Sequence, residues 1–276
     1  MSVRDLLARQ VPKRLLVDVP SSFDILGSRE KAVAIVEIPR SLEKYKLKIA
    51  SAIMKQHRNV ASVLAKGTPR KGVYRIRDYR LLAGQKDTEV VHNENGCRFA
   101  LDPQKVYFSQ REGTERLRMA SMVKNNQSVM VFFAGVGPFP IVISKRSGAA
   151  RVVGIEINPE ATEYFRKNVE MNKCRNVEVV CGSVDEAACD FRDFDHVLMP
   201  LPETSVEYLP WAFGCLKSGG IVHIYFFSTE ENLGKMKSKI RAAARKAKRK
   251  IAFVSKSNVL PYGPGIWKMR LDVRAD

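Results

Sequence analysis

The sequence predicts a doubly wound α/β fold with a mainly parallel sheet, preceded by a smaller N-terminal α+β domain. Two observations carry this. From about residue 110 onward, apolar strand-like runs alternate with helical segments, the pattern of βαβ units with helices on both faces of a parallel sheet. Before that point, short strands follow one another with a single clear helix. The expected division is 1–105 and 106–276, and 276 residues suffice for a large domain with its own core and a smaller companion.

Residues 1–30 read as a mixed lead-in broken by Pro12, Pro20 and Gly27. Ala32–Ile38 reads as a strand that Pro39 ends. Leu42, Tyr45, Ile49 and Ile53 then recur at helical spacing with Lys and Arg opposite. ASVLAKG follows as a strand, and TPRKGVYRIRDYRLLAG alternates like a strand around Val73–Ile76. CRFALDPQKVYFS reads as another strand with a turn at Asp102-Pro103. The second part opens with a helix at TERLRMASMV. SVMVFFAG is a continuous apolar run ending in glycine, hence a buried parallel strand. A helix is expected near 138–147, a strand at RVVGIEI and a helix at PEATEYFRKNVEMN. Strands NVEVVCG, DHVLMPL and GIVHIYFF, helices VEYLPWAFGCL and Glu231–Lys250, a rigid turn at Pro261–Gly265 and a last strand IWKMRLDVRA complete the chain.

The totals narrow the function classes. A formal charge of +18 favours a polyanionic partner, nucleic acid before an anionic membrane surface, because the cations lie in several segments. No apolar run reaches the roughly 18 residues of a membrane helix, and the charged N-terminus lacks a signal-peptide pattern. The expectation is a cytoplasmic monomer with no membrane contact. The five cysteines are scattered and the four histidines share no metal spacing, so reduced thiols and no metal are expected. His223, in an expected buried strand, reads as a hydrogen-bonded core residue.

The chemistry concentrates after the first strand of the second part. In Phe133, Ala134, Gly135, Val136, Gly137, Pro138 and Phe139, two glycines let the backbone approach a ligand, and a helix N-terminus follows. Glu156, 21 residues beyond Gly135, closes the next strand ahead of Ile157 and is placed to accept both ribose hydroxyls of an adenosine. A dinucleotide site would carry a third glycine; here Pro138 stands where a helix would receive pyrophosphate. S-adenosylmethionine (SAM) has no phosphates and suits the loop better.

FAGVGPF, IEINP, HVLMPLPETSVEYL and GGIVHIYFF resemble the Rossmann-like catalytic domain of the Trm-five/wybutosine-synthesis family (Met-10-like), class I SAM-dependent enzymes that modify guanine 37 of tRNA. Upstream, VEIP, NVASVLAKGTPRKGVYRIRDYRLLAG, HNENGCRFALD, VYFS and GTERLRMA resemble that family's second domain and the entry to its third. The resemblance implies methylation of guanine N1 on a tRNA partner. It implies Glu115 as the base that removes the N1 proton, and either Arg75 or Arg77 as the cation that stabilises charge on O6. It implies Tyr107 as the ring that stacks on the flipped base, with Arg116 and Pro202 as further substrate contacts. Pro200, beside the reacting atoms, stands where the family has the asparagine of Asn-Leu-Pro. Val131 replaces an acid at the end of the first strand, and Gln110 the proline of FSPR; Ser183 replaces an acid after the third strand, with Asp185 two residues on, and the resemblance implies both as cofactor contacts. These departures keep two alternatives open: aminocarboxypropyl transfer to a wybutosine precursor, and a non-catalytic tRNA-binding paralogue. Nine Lys/Arg between Lys235 and Lys250, Lys246 among them, suit contact with an RNA phosphate backbone.

Overall fold

A computed structural model describes residues 1–68, 72, 74 and 77–276. Two compact units divide the chain, Met1–Gln110 and Arg111–Asp276.

The first unit begins with α1 (Val3–Leu7), started by a capping box in which Ser2 Oγ accepts the Asp5 N–H and Asp5 accepts the Ser2 N–H. Strands β1 (Asp24–Gly27), β2 (Ala32–Val36), β3 (Val60–Lys66) and β4 (Tyr79–Gly84) form one sheet in that order. The pairings are antiparallel, parallel and antiparallel. Helix α2 (Lys46–Gln56) makes the parallel crossover and buries Ile49, Ala50 and Ile53 in a core with Ala32, Ala34, Val36 and Val63. The lead-in therefore contains a helix and an edge strand that its mixed composition did not suggest. The strand expected around Val73–Ile76 falls on Val73, Arg75 and Ile76, outside the described residues. Strands β5 (Val90–Glu94) and β6 (Cys97–Leu101) form a hairpin. Asn95 and Gly96 turn it with φ of 53° and 71°, the left-handed pair an Asn-Gly turn supplies. The strand expected to run on through Tyr107 ends at Leu101, because Asp102 Oδ1 takes the Gln104 N–H and turns the chain.

The second unit is doubly wound. Helix α3 (Gly113–Met122) precedes β7 (Ser128–Phe132), α4 (Pro138–Arg146), β8 (Arg151–Glu156), α5 (Pro159–Met171), β9 (Val177–Cys181), a short α6 (Val184–Ala187), β10 (Phe194–Met199), α7 (Leu209–Cys215), β11 (Leu216–Ser228), α8 (Leu233–Lys246), β12 (Ile251–Gly263) and β13 (Ile266–Ala275). The sheet order is β12-β13-β11-β10-β7-β8-β9. The five strands β11-β10-β7-β8-β9 are parallel, and β13 runs antiparallel between β11 and β12. The order reverses between β7 and β10, and the carboxyl ends of strands at such a switch point are where open α/β sheets bind ligands.

Two expectations need correction here. Residues 251–263 form a thirteen-residue edge strand where only a turn at Pro261–Gly265 was expected. Its polar, exposed residues hid a strand whose backbone, among the described residues, pairs with β13 alone. The basic helix ends at Lys246, not Lys250. Lys248 adopts φ 55° and the Arg249 N–H reaches back to the Ala244 carbonyl, a left-handed helix stop built without glycine.

The sheet's two faces differ. Met130, Phe132, Val153, Ile155, Val197, Met199, Val222, Ile224, Phe226, Met269, Leu271 and Val273 alternate along five strands and pack with Ala212, Phe213, Ile240 and Ala244 of α7 and α8 in one apolar core. The opposite face, towards α3, carries His223 and Tyr225 on β11 directly across from Asp272 and Arg270 on β13. All four are buried.

Candidate active site

The loop after β7 is shaped by positive φ angles at Phe133 (56°), Gly135 (58°) and Gly137 (85°). Gly137 has a second reason to be glycine. A Cβ there would lie 2.0 Å from Cδ2 of Phe165, the α5 ring that fills the space between this loop and Gly154 of β8. The loop is thus pressed onto α5, and α4 starts at once with Pro138, whose fixed φ and missing N–H suit the first helical position. Ala134 and Phe139 are buried; Phe133 packs edge-on against Tyr208, ring centroids 4.9 Å apart.

Glu156 ends β8 and is 8% exposed. Its Oε2 accepts the Gly135 N–H at 2.7 Å and its Oε1 accepts the Asn158 N–H at 2.8 Å. Asn158 in turn caps α5, accepting the Glu160 N–H at 3.0 Å. The carboxylate therefore ties the glycine loop to the start of α5, and each oxygen retains acceptor capacity. Burial pushes the Glu156 carboxyl above its ordinary value, while the N–H groups of Asn158, Gly135 and Ile157 pull it down. The Gly182 N–H bonds the Glu156 carbonyl, which brings the turn after β9 alongside. There Ser183 is the half-buried N-cap position of α6, and Asp185 is exposed in its first turn. Phosphate-free adenosine fits this arrangement: a buried carboxylate meets the loop backbone, and the helix N-terminus that would serve a phosphate is occupied by proline.

At the end of β10, Pro200 is half-buried and Pro202 buried. The Pro200 carbonyl accepts from Lys268 Nζ at 3.3 Å. Lys268 is itself buried; it pairs with Glu112 Oε1 at 2.9 Å and lies 5.1 Å from the centre of the Tyr225 ring. Val131 is buried within β7, pairing with Gly154 and Leu198.

Glu115 lies in the first turn of α3 and is 5% exposed. Oε1 accepts from Tyr225 Oη at 2.8 Å and from Arg270 Nη1 at 2.5 Å. Oε2 lies 3.8 Å from Arg118 Nη1, too far for a hydrogen bond. Arg116, next in sequence, is buried with its guanidinium 5.7 Å from the Phe139 ring centre. The second unit thus gathers the Phe133–Phe139 loop, Glu156 and the turn at Ser183 into one assembly, and sets Glu115 with Tyr225 and Arg270 beneath α3.

In the first unit, Arg77 and Tyr107 are half-buried in irregular segments, and Arg75 lies outside the described residues. The Gln110 amide, oriented to satisfy both ends, pairs with the N–H and carbonyl of Ile25, so this departure from FSPR serves to hold β1. On α8, Lys235, Lys239, Arg241, Arg245 and Lys246 are exposed. Lys237 and Arg241 lie over the Phe253 ring at 5.3 and 5.1 Å. Arg249 instead donates to the carbonyls of Phe213, Leu216, Lys217 and Ala275, which removes it from the exposed cations.

Tyr225, Arg270 and Asp272 were missed from the sequence. A signal existed: Lys268, Arg270 and Asp272 put charge at alternate positions of a strand in an otherwise apolar sheet.

Comparison with known proteins settles the family. The model described as the TRM5/TYW2 methyltransferase domain matches residues 90–252, and the TYW2 N-terminal domain matches residues 3–88. The chain belongs to the TRM5/TYW2 methyltransferase family. It is 38% identical over 265 residues to the tRNA (guanine(37)-N(1))-methyltransferase Trm5b of Pyrococcus abyssi, covering 96% of this chain and 78% of that protein. It is 31% identical over 281 residues to the tRNA(Phe) (4-demethylwyosine(37)-C(7)) aminocarboxypropyltransferase of Pyrococcus horikoshii, covering 99% and 95%. A solved complex of aTrm5 and tRNALeu superposes with a TM-score of 0.85 at 28% identity, covering 100% of this chain and 78% of that one. The TRM5/TYW2 family uses S-adenosylmethionine, as the loop chemistry led us to expect. Among the described residues, no helix is long and apolar enough to cross a membrane.

Proposed function

We propose that this chain methylates N1 of guanine 37 in tRNA, using SAM. The observation that carries the reading is Glu115, a buried carboxylate with one oxygen doubly engaged and the other left without a hydrogen bond among the described residues. Guanine N1 bears a proton at neutral pH and is a poor nucleophile until that proton leaves. Glu115 Oε2 takes it, and the electron pair left on N1 becomes the attacking pair. Charge that spreads onto O6 meets a guanidinium, Arg77 or Arg75, and the base stacks on Tyr107. Phe133–Phe139, Glu156, Ile157, Ser183 and Asp185 hold the cofactor. When bound, SAM supplies a methyl group on a cationic sulfur, whose carbon–sulfur bond breaks as the new carbon–nitrogen bond forms. The N-terminal unit positions the tRNA, and the exposed cations of α8 neutralise phosphates.

Aminocarboxypropyl transfer is the second reading. It is favoured by Pro200, which offers neither an amide side chain nor an N–H, and by the match of residues 3–88 to the TYW2 N-terminal domain.

The test is nucleoside mass analysis of unmodified tRNA and of wybutosine-precursor tRNA after incubation with the protein and SAM. N1-methylguanosine at position 37, lost in Glu115→Gln with tRNA binding intact, supports the first reading. The larger adduct on the precursor establishes the second. No adduct on either, from protein that binds tRNA, sinks both.

A further inference from the structure

The buried face beneath α3 holds a continuous file of polar groups that the reaction as described does not use. Arg270, 1% exposed, donates from Nη1 to Glu115 Oε1 at 2.5 Å and from Nη2 to Asp272 Oδ2 at 3.1 Å. Its Nη1 also lies 3.0 Å from Met119 Sδ, so the guanidinium is clasped from the α3 side. Asp272 Oδ1 lies 2.7 Å from His223 Nδ1, and Ser255 donates to Oδ2. His223 Nε2 lies 2.9 Å from His196 Nδ1, and His196 Nε2 lies 3.0 Å from Gln127 Oε1.

Hydrogen-bond polarity fixes the protons in this file. Gln127 Oε1 already accepts the Lys124 N–H at 2.7 Å, and the same amide's Nε2 donates to Asp195, so Oε1 faces His196 as an acceptor. His196 Nε2 therefore carries its proton. Burial, then the neighbouring His223, holds His196 down at about 4, so the ring is neutral and its Nδ1 accepts. His223 Nε2 then faces His196 as a donor, and its Nδ1 faces the Asp272 carboxylate. The buried ions alternate in sign from Glu115 through Arg270 to Asp272. Buried ions need this kind of pairing.

We propose that Arg270, backed by Asp272 and His223, is the positioning residue for Glu115. It occupies Oε1 together with Tyr225 and so fixes Oε2 as the oxygen that takes the substrate proton. This rests on the reading of Glu115 as the base. The groups that face the carboxylate are Arg118 from its own helix, Tyr225 from β11, and Arg270 with Asp272 behind it from β13. Lys268 and Glu112 pair with one another beside the Tyr225 ring, and α4 presents the uncharged Phe139 ring to Tyr225 at 6.2 Å. Both donors grip Oε1, so losing either lets the carboxylate turn and moves Oε2 away from the substrate proton. The methylation rate then falls while SAM and tRNA binding do not.

The experiment is single-turnover methylation of unmodified tRNA, with SAM and tRNA affinities measured beside it, by the full chain and by Arg270→Met, Arg270→Lys, Tyr225→Phe and Glu115→Gln. We expect Arg270→Met to lower the rate roughly 100-fold, the scale of an ångström of misplacement, with SAM and tRNA affinities unchanged. Arg270→Lys should recover part of the rate, and Tyr225→Phe should lower it by a smaller factor with both affinities unchanged. A folded Arg270→Met with the wild-type rate overturns the proposal. Should that variant fail to fold, Tyr225→Phe decides, and a wild-type rate overturns it. Inactive Glu115→Gln beside unperturbed Arg270 and Tyr225 variants sinks the positioning role alone. Active Glu115→Gln sinks the base assignment and the positioning role with it.

Discussion

Replacing Glu156 by glutamine separates the structural role of this side chain from its role in binding. In the protein each carboxylate oxygen accepts a backbone N–H, from Gly135 and from Asn158. Glutamine keeps one oxygen; its amide nitrogen must face the other N–H, leaving a buried donor unpaired at a cost of roughly 1–3 kcal/mol. The same substitution relieves the burial that raises the Glu156 carboxyl, so the two effects oppose one another and folding stability should move by about 1 kcal/mol or less. Binding has no such compensation. Two ribose hydroxyls would lose a charged acceptor, and hydrogen bonds to charged groups contribute about 1.5–3 kcal/mol. At about 1.4 kcal/mol per decade, SAM affinity should fall at least tenfold, and up to roughly 100-fold. Titration calorimetry with SAM, alongside a thermal melt of the unliganded protein, reads both quantities. A SAM dissociation constant within twofold of wild type would refute the ribose assignment. An unchanged affinity with a large loss of stability would show that Glu156 only fastens the loop to α5. The pH dependence provides a further check: SAM affinity should weaken as pH falls through the raised pKa, since only the ionised carboxylate accepts at both oxygens.

Three further outcomes are expected. Gly137→Ala adds a Cβ 2.0 Å from the Phe165 ring at a φ of 85°; left-handed strain of about 1–2 kcal/mol and overpacking of about 1–3 kcal/mol should lower the melting temperature by roughly 6–12 °C, and a melt within 2 °C of wild type would show that the loop relaxes freely. Changing Lys235, Lys239, Arg245 and Lys246 together to glutamine should flatten the salt dependence of tRNA binding by about 3 in the log–log slope; a wild-type slope would show that this helix face meets only solvent. His196, held at about 4 by burial and His223, binds its proton more weakly folded than unfolded, so its contribution is complete above the unfolded value of about 6.5 and is lost as pH falls from there to about 4. Melts between pH 7 and 4 should show a decline on the order of 2 kcal/mol that His196→Gln flattens, and an unchanged slope in that variant would assign the decline to other groups.

The α/β core was legible because its signals are local. SVMVFF is apolar throughout and ends in a glycine turn; Asn158-Pro159 both caps and starts α5; Leu42, Ile49 and Ile53 mark one helix face. The cofactor loop was legible for the same reason, since Gly135, Gly137 and Glu156 lie in consecutive βα units and meet through a single hydrogen bond. Strand β12 was not, because its ladder partner, β13, begins beyond the turn that follows it and its exposed residues look like loop. The surroundings of Glu115 were not legible either. Its position in a helix's first turn says nothing of its partners, and Arg270, which engages it, lies 155 residues away. Alternation along β13 could reveal which side its charges take; only the sheet order reveals that α3 lies over them.

The unequal faces of the sheet follow from what each is asked to hold. Beneath α7 and α8, apolar side chains from five strands remove surface from water without directional demands, and such packing tolerates volume-conserving exchange. Beneath α3, ions stand where apolar residues of similar volume would leave a fold equally stable or more so. The ionic file therefore contributes geometry rather than stability. Each guanidinium and carboxylate accepts its partner only along a few directions, so Glu115 is fixed in rotation as well as in place, which leucine or methionine neighbours could not do. Removing one member leaves an uncompensated charge and costs about 3–5 kcal/mol, so the file survives as a unit or is lost as one. Its far end, at His196 and Gln127, lies against the Asp195–Lys217 pair and the start of β7. The turn that leads into the strand carrying the cofactor loop and the carboxylate beneath α3 are thus held by the same chain of hydrogen bonds.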